Sequence, residues 1–592
     1  MKMMFSNNVQ RFVVFLSLLT VGSIFASCSK GETSEQLVDS ETSLSFAVEN
    51  LSEVADAGVI KGNETAPAET PDLVPVSGNV GSTTRATTKK SVAAVNTSFV
   101  PAAAAIVGEA REVVGDGYDA IVTLTEEDNT VKSASGRFIN SKVSSAASGS
   151  TGNVAAAMTS GNKYRVLIYD NNDNYVGTID ATSGTALSPA FPVFKNTTYK
   201  WYAYSYNSQT QVPVPANTAN PTITTTAGAA GLLYDSGTLT TVAGSNKISI
   251  VFEHRLASIA VKVDTRGLFT TINSVAGTNG TAGDLRSGTL NLKTGVYTNT
   301  SANTTKSDLL DWTNAAAATG DSVKVAYLYT SGTTAISNFK VTLTNLKVNL
   351  DDGSVRNFDD KTFTFPTSFT PQLGKRYTAT ITLIESAVEV GGVRWARENL
   401  YYRAGDTGYR FRNRSSNIYQ TNVADLTSTT EFFSFAALTS SNSATPAVRD
   451  ICKLAFPKNT WRLPTPAEQQ ALVNVSTNTS STPYRVYGQS SDARYASWTY
   501  NTSNEYGTVW TSFMALGRRA KGSNTVENYS RTSNSSGYFW SNTFVQGTTR
   551  AYYMRVDVFG TANSFNNSTV VASQIEDDNM RYGMNIRCVR ND

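Results

Sequence analysis

Histidine and cysteine are nearly missing from this chain, which has one His and three Cys in 592 residues. A single imidazole, His254, leaves no set of histidines to hold a zinc ion and argues against Ser-His-Asp chemistry. It falls in the apolar stretch 252–263, where a packed, hydrogen-bonded structural role is expected. Charge is scarce too. Only 16% of residues are charged, and 50 Lys and Arg nearly cancel 47 Asp and Glu, so a net charge of +3 gives no global pull toward nucleic acid. Acidic residues such as Asp492, Glu505 and Asp557 are present, but no spacing singles out the carboxylate pair that glycosidase chemistry needs. No catalytic residue, metal ligand or cofactor is therefore assigned, and the chain reads as a non-enzyme. Beyond the first twenty residues no apolar run reaches membrane length.

The opening stretch is organised differently from the rest. Lys2 and Arg11 supply positive charge, residues 12–20 form a short apolar run, and Ala26 and Ser27 precede Cys28. The run is too short for the ~30 Å hydrocarbon core, and the order of charge, apolar core and small residues is that of a signal peptide. Ile24-Phe25-Ala26-Ser27-Cys28 resembles a lipobox, with Phe25 where an aliphatic residue is usual. Residues 1–27 are thus expected to be a lipoprotein signal peptide and Cys28 the lipidated (palmitate-bearing) residue, holding the protein at the outer membrane by its acyl chains. A plain signal peptide with an incidental Cys is the competing reading. The other two cysteines, Cys452 and Cys588, are an even pair in an exported chain; one disulfide is expected, and two free thiols are the alternative.

What is abundant is Ser, Thr, Asn and Gly, with 27 Tyr and 26 Phe, a composition suited to extracellular β-sheet. The length suggests about three or four domains. Residues 28–90 read as a tether rich in Ser, Thr, Glu and Pro, with Pro67, Pro71 and Pro75 closely spaced, and are expected to stay extended or disordered apart from one segment. Within it Leu44, Phe46 and Val48 alternate with small or polar residues, as in a strand with one buried face. Thr84-Arg85-Ala86 follows in a loose Thr-rich stretch. From 100 to 385 short strands recur between turn residues, at 120–124, 163–169, 199–206, 247–252, 258–264, 322–329, 339–348 and 377–383. Residues 170–174 read as a hairpin turn; the Gly and Glu of a calcium loop are not in register. Near residue 388 the texture turns aromatic, and one helix start is explicit: Thr465 as N-cap, Pro466 at the first helical position, Glu468 completing a capping box, with the helix over 467–475. A further strand is expected at 552–558.

Residues 91–386 resemble the fimbrillin-type pilins of Bacteroidales. The similarity lies in Tyr164-Arg165-Val166-Leu167-Ile168-Tyr169-Asp170, in residues 199–208 from Tyr199-Lys200-Trp201 onward, in Phe252-Glu253-His254-Arg255-Leu256-Ala257-Ser258-Ile259 and in Leu373-Gly374-Lys375-Arg376-Tyr377. Residues 390–592 resemble a second family, first noted as a major paralogous family of Fibrobacter and related in fold to C-type lectins and formylglycine-generating enzymes. Its marks are Val393-Arg394-Trp395-Ala396-Arg397-Glu398-Asn399-Leu400, Trp461-Arg462-Leu463-Pro464, Tyr538-Phe539-Trp540-Ser541-Asn542 and Ile586-Arg587-Cys588-Val589-Arg590. The resemblances imply a mostly β protein, with two transthyretin-like sandwiches at 91–240 and 241–388 and an α+β C-type-lectin-like domain at 389–592. They also imply a lectin-like long disulfide between Cys452 and Cys588.

The fimbrillin resemblance implies assembly by strand exchange. A protease would cut between Arg85 and Ala86, the strand at Leu44, Phe46 and Val48 would leave, and a pilin subunit would donate a strand to the groove. Lys89, Lys90 and Arg111 are competing cut sites. After Ile384 the chain continues into the lectin-like region instead of offering a donor strand, which points to a pilus-tip adhesin on the cell surface. The ligand expected there is a glycan or a surface protein. Weak ligand candidates are Trp498, Trp510, Tyr552 and Tyr553, whereas Trp461 and Trp540 fall in structural motifs and are expected in the core. The Glu-Pro-Asn, Gln-Pro-Asp and Trp-Asn-Asp sequences of calcium-dependent lectins do not occur. The alternative is a stand-alone surface lipoprotein that binds glycan or host protein without polymerising.

Overall fold

The computed structural model of the chain describes residues 42–51, 74–76, 105–113, 118–127, 158–185, 190–225, 231–350, 353–358, 360–402, 408–411, 431–437, 450–478, 484–487, 495–504, 507–523, 525–528, 535–561, 564–575 and 579–591. The fold is mostly β. Alternation of apolar and polar residues sets its strands, and those expected from it between 118 and 385 are present within a residue or a few at their ends.

One seven-stranded sheet runs in the order Tyr175–Thr182, Lys163–Asp170, Thr198–Ser205, Leu233–Thr240, Ser245–His254, Ser43–Leu51, Phe191–Pro192. Lys163–Asp170 and Thr198–Ser205 bury residues on both faces, so the sheet separates two cores. On one side Val166, Ile168, Trp201, Ile250 and Phe252 pack with Leu44 and Phe46. On the other, Leu167, Tyr169, Tyr204 and Tyr234 meet Ile223 and Leu290, carried by the three-stranded sheet of Thr222–Thr225, Arg286–Asn291 and Val296–Ala302. The sheet curls until its end strands meet. A Cβ added at Gly177, in one end strand, would lie 2.5 Å from the Phe191 ring in the other.

The second sandwich pairs a six-stranded sheet with a five-stranded one. The first has the order Thr313–Asn314, Val323–Thr330, Ala257–Gly267, Arg376–Glu385, Tyr118–Glu127, Ala105–Val113; the second is built on Thr271–Asn279 and Phe339–Asn349. Ile259, Val261, Ile381 and Leu383 from one sheet meet Val341, Leu343 and Phe363 from the other.

The expected division at 240/241 does not follow these sheets. Tyr118–Glu127 pairs antiparallel with Arg376–Glu385 along its whole length and puts Ala120, Val122 and Leu124 in the second core, while Ser245–His254 belongs to the first sheet. Residues 158–254 are thus inserted between strands of the second unit. The apolar stretch 252–263 around His254 is divided between two strands for the same reason. One strand ends at His254, the next starts at Ala257, and the chain changes sheets across Arg255-Leu256.

From Val388 onward the chain forms a separate α+β unit. Val388–Val390, Val393–Trp395, Val589–Arg590 and Trp461–Arg462 make one sheet. Ser535–Val545, Ala551–Thr561 and Ser564–Ile575 make another, and Val74–Val76 from the tether pairs with its first strand. The helix Pro466–Asn478 starts as the capping box dictates. Thr465 Oγ1 accepts from Glu468 N–H at 3.2 Å, and Glu468 Oε2 accepts from Thr465 N–H at 2.7 Å. Gln469 Nε2 then donates to the Phe539 carbonyl at 3.0 Å, joining helix to sheet. Cys452 and Cys588 are disulfide-bonded across 136 positions.

This unit is fastened to the second sandwich by buried charge. Asp119 Oδ2 accepts from Arg590 at 2.8 Å and from Arg394 at 3.2 Å, and its Oδ1 accepts from the Ser386 hydroxyl at 3.0 Å. Arg590 also donates to the Glu385 carbonyl at 2.6 Å and lies 4.2 Å over the Trp461 ring. Burial raises the pKa of the Glu385 carboxyl, against the pull of Arg397 at 3.4 Å.

Candidate strand-exchange groove

Ser43–Leu51 is far in sequence from everything it touches. It runs parallel to Ser245–His254 from Ser43↔Ser245 to Leu51↔Phe252, with a register shift between Val48 and Asn50. Its first two residues also pair antiparallel with Phe191–Pro192. Parallel strands need a long connection, and here it is residues 52–244. Local contacts therefore do not hold the strand in place; the groove does.

The period of two decides what the groove receives. Leu44 and Phe46 point inward and are fully buried, and Val48 is half-buried on the same side. The Phe46 ring meets Trp201 edge-on, with centroids 6.0 Å apart. Trp201 can lie there because its neighbour on the next strand is Gly237, where a Cβ would sit 2.7 Å from the indole. The Tyr164 hydroxyl, carried by a strand at the far side of the curled sheet, donates to the Phe46 carbonyl at 3.3 Å. Burial pushes that phenol up to about 12, so it stays a proton donor at any physiological pH. Burying one Leu and one Phe side chain contributes roughly 3–6 kcal/mol.

The polar side of the strand is also engaged. Ser43 N–H donates to the Gly244 carbonyl at 3.1 Å, Val193 N–H to the Thr42 carbonyl at 3.1 Å, and Asn246 Nδ2 to the Ser43 carbonyl at 3.3 Å. Behind the ladder, Asp235 Oδ2 accepts from Val251 N–H at 2.9 Å. Burial raises this carboxyl to about 6, despite that hydrogen bond and the one from Ser236 N–H.

Comparisons with known proteins bear on this arrangement. Residues 120–394 match a family described as fimbrillin-like. Among solved structures, a candidate cell adhesion protein from Bacteroides fragilis is 14% identical with a TM-score of 0.28, the match covering 48% of this chain and 94% of that one. A candidate cell adhesion protein from Bacteroides ovatus is 17% identical with a TM-score of 0.26, covering 40% and 90%. The fimbrial anchor protein Mfa2 from Porphyromonas gingivalis is 12% identical with a TM-score of 0.18, covering 35% and 76%. No curated protein matches. The fimbrillin-like match over 120–394 supports a surface adhesin or pilus component.

Of the residues singled out by sequence, Leu44, Phe46 and Val48 lie together in the groove along Ser245–His254. Cys28, Arg85 and Ala86 lie outside the described residues. Tyr553 is misassigned as a ligand platform. It is fully buried, 6.1 Å from Trp540 and 5.7 Å from Tyr538, because its strand turns it into the core. Tyr552, the next residue, points to the other face and is half-buried. Trp498 and Trp510 lie on the paired strands Tyr495–Asn504 and Gly507–Met514. Trp461 and Trp540 are fully buried. The turn at 170–174 uses the Asp170 carboxylate on Asn172 N–H and Asn174 N–H, both at 2.9 Å, as a hairpin turn does. Sequence reasoning passed over Trp201, Tyr164 and Gly237 as groove residues. Only the Tyr-Lys-Trp-Tyr pattern of the third strand hinted that large side chains there face a long apolar row.

Proposed function

We propose that this protein is a pilus-tip adhesin, exported as a lipoprotein anchored through Cys28 and joined to its pilus by donor-strand exchange. In the precursor Ser43–Leu51 fills the groove. Cleavage between Arg85 and Ala86 cuts the covalent path from that strand to the body, because Arg85 lies between Val76 and Ala105 in sequence. The strand then stays only by its noncovalent contacts. A pilin subunit's strand with apolar residues at alternate positions can replace it along Ser245–His254. The observation carrying this reading is that a sequence-remote strand supplies two fully buried side chains to a core otherwise built from residues 158–252.

Two features favour the tip. Arg376–Glu385 is flanked on both sides, by Ala257–Gly267 and Tyr118–Glu127, so it is not free to be donated. The chain then enters the α+β unit, in which Val589–Arg590 is buried between two other strands. That unit, with its long disulfide and aromatic strands, is the part we assign to ligand binding as a lectin-like domain. The ligand class is a glycan or a surface protein.

The test is a lock. Ala47 and Ser249 are partners in the ladder. With Ala47→Cys and Ser249→Cys oxidised to a disulfide, the precursor should reach the surface, fail to enter pili, and enter them on reduction. Equal incorporation of locked and unlocked protein would rule out strand exchange at this groove, and absence of both from pili would leave the stand-alone lipoprotein reading in its place.

A further inference from the structure

The tether holds a second strand. Val74–Val76 pairs parallel with Thr543–Val545 of the α+β unit, with Pro75 opposite Phe544. This corrects the expectation that the tether, apart from the segment at 44–48, stays extended or disordered. Closely spaced prolines suggested that, yet proline is tolerated on an edge strand if its position owes no hydrogen bond to the sheet. A parallel ladder with Pro75 opposite Phe544 meets that condition. It uses the N–H of Phe544 and the N–H of Val76, and none at position 75.

The strand Ser535–Val545 explains why an occupant is needed there. Its odd side is served by the neighbouring strand, as where Val545 N–H donates to the Arg550 carbonyl at 2.9 Å. Its even side faces away from that strand and is closed piecemeal. Trp540 N–H donates to the Asn585 carbonyl at 3.2 Å, and Asn542 N–H to the Pro464 carbonyl at 2.8 Å. Phe544 is the next even position, beyond the reach of those two segments, and Val74–Val76 is the segment paired there. An uncovered backbone edge next to Thr543, itself buried, is a ready template for another strand.

We propose that the Thr543–Val545 edge is a second strand-accepting site, closed in the precursor by the chain's own Val74–Val76 and open to an extended peptide strand of a partner protein once that segment leaves. The partner strand lies parallel to Ser535–Val545 and presents an N–H where Val76 does. Departure of the segment rests on the cleavage proposed above, since a cut after Arg85 would free Val74–Val76 together with Ser43–Leu51. Strand acceptance by the edge does not depend on that cleavage, so it can be tested with the groove strand still in place.

The experiment uses the full chain with Val74→Gly, Pro75→Ser and Val76→Gly, which weakens the intrachain strand and leaves the groove untouched. Hydrogen exchange at Phe544 should be at least tenfold faster than in the unaltered chain. A synthetic peptide of residues 72–78 should restore the slow rate and bind saturably to the altered chain. Its binding to the unaltered chain should be at least tenfold weaker, because the tethered segment competes at millimolar effective concentration. The same peptide N-methylated at Val76 should not bind, and one N-methylated at Ser77, one position past the paired residues, should bind as before. Unchanged exchange at Phe544, or binding that ignores methylation at Val76, overturns the proposal and leaves the groove reading standing.

Discussion

Truncating Phe46 to alanine probes the groove at its deepest point. The ring is fully buried against Trp201 and sits on a strand whose backbone carbonyl accepts from Tyr164. Removing a buried phenyl ring costs about 3–5 kcal/mol, transfer and cavity terms together. The rolled sheet has little freedom to collapse there, because Trp201 is already seated against Gly237 and cannot follow the lost ring without leaving that contact. At about 1.4 kcal/mol per factor of ten, the strand should leave its groove about a hundredfold to several thousandfold more readily. The assay is a chain carrying a site-specific protease site in place of 84–86 and a fluorophore near residue 40, cut once, with release of the labelled segment followed over time. Phe46→Leu, which keeps most of the volume, should fall between the two. Release of the Phe46→Ala segment within twofold of the unaltered one would refute the claim that the apolar row holds the strand.

Three further outcomes follow from the geometry. Asp235 has its folded-state pKa raised from 3.8 to about 6, so the folded protein binds this proton more tightly than the unfolded chain does. Its contribution therefore improves as pH falls from 7 toward 4; Asp235→Asn should stabilise the protein at pH 7.5 by up to about 2–3 kcal/mol, shrinking as pH falls to 4, by denaturant midpoints at each pH. Asp119→Ala leaves Arg590 and Arg394 facing a buried site without their carboxylate, and should cost about 3–5 kcal/mol in the unfolding transition of the second sandwich. Replacing Cys452 and Cys588 together by alanine opens a loop of 136 positions and should cost roughly 5 kcal/mol in the chain-entropy picture, read as a lower midpoint for residues 388–591 alone.

The strands were legible because a period of two is a local property. Lys163–Asp170, Phe339–Asn349 and Arg376–Glu385 each carry their own alternation, and Thr465-Pro466 with Glu468 carries its own helix start. Pairing is not local. Nothing in residues 105–127 says that they close a sheet with residues some 250 positions later, so the two sandwiches were divided at the wrong place. The groove strand was readable as a strand with a buried face, whereas its parallel seat against Ser245–His254 was not. Val74–Val76 was hidden by its proline, whose effect depends on which side of the strand faces the sheet. Tyr552 and Tyr553 are adjacent and look alike as sugar platforms, but strand phase sends one of them into the core.

The most direct measurement is the N-terminus of the protein carried in isolated pili. The expected result is a chain that starts at Ala86, has lost Ser43–Leu51 and has a pilin strand cross-linkable to Ile248 or Ile250. A pilus-borne chain that keeps Leu44 and Phe46 in the groove would contradict strand exchange.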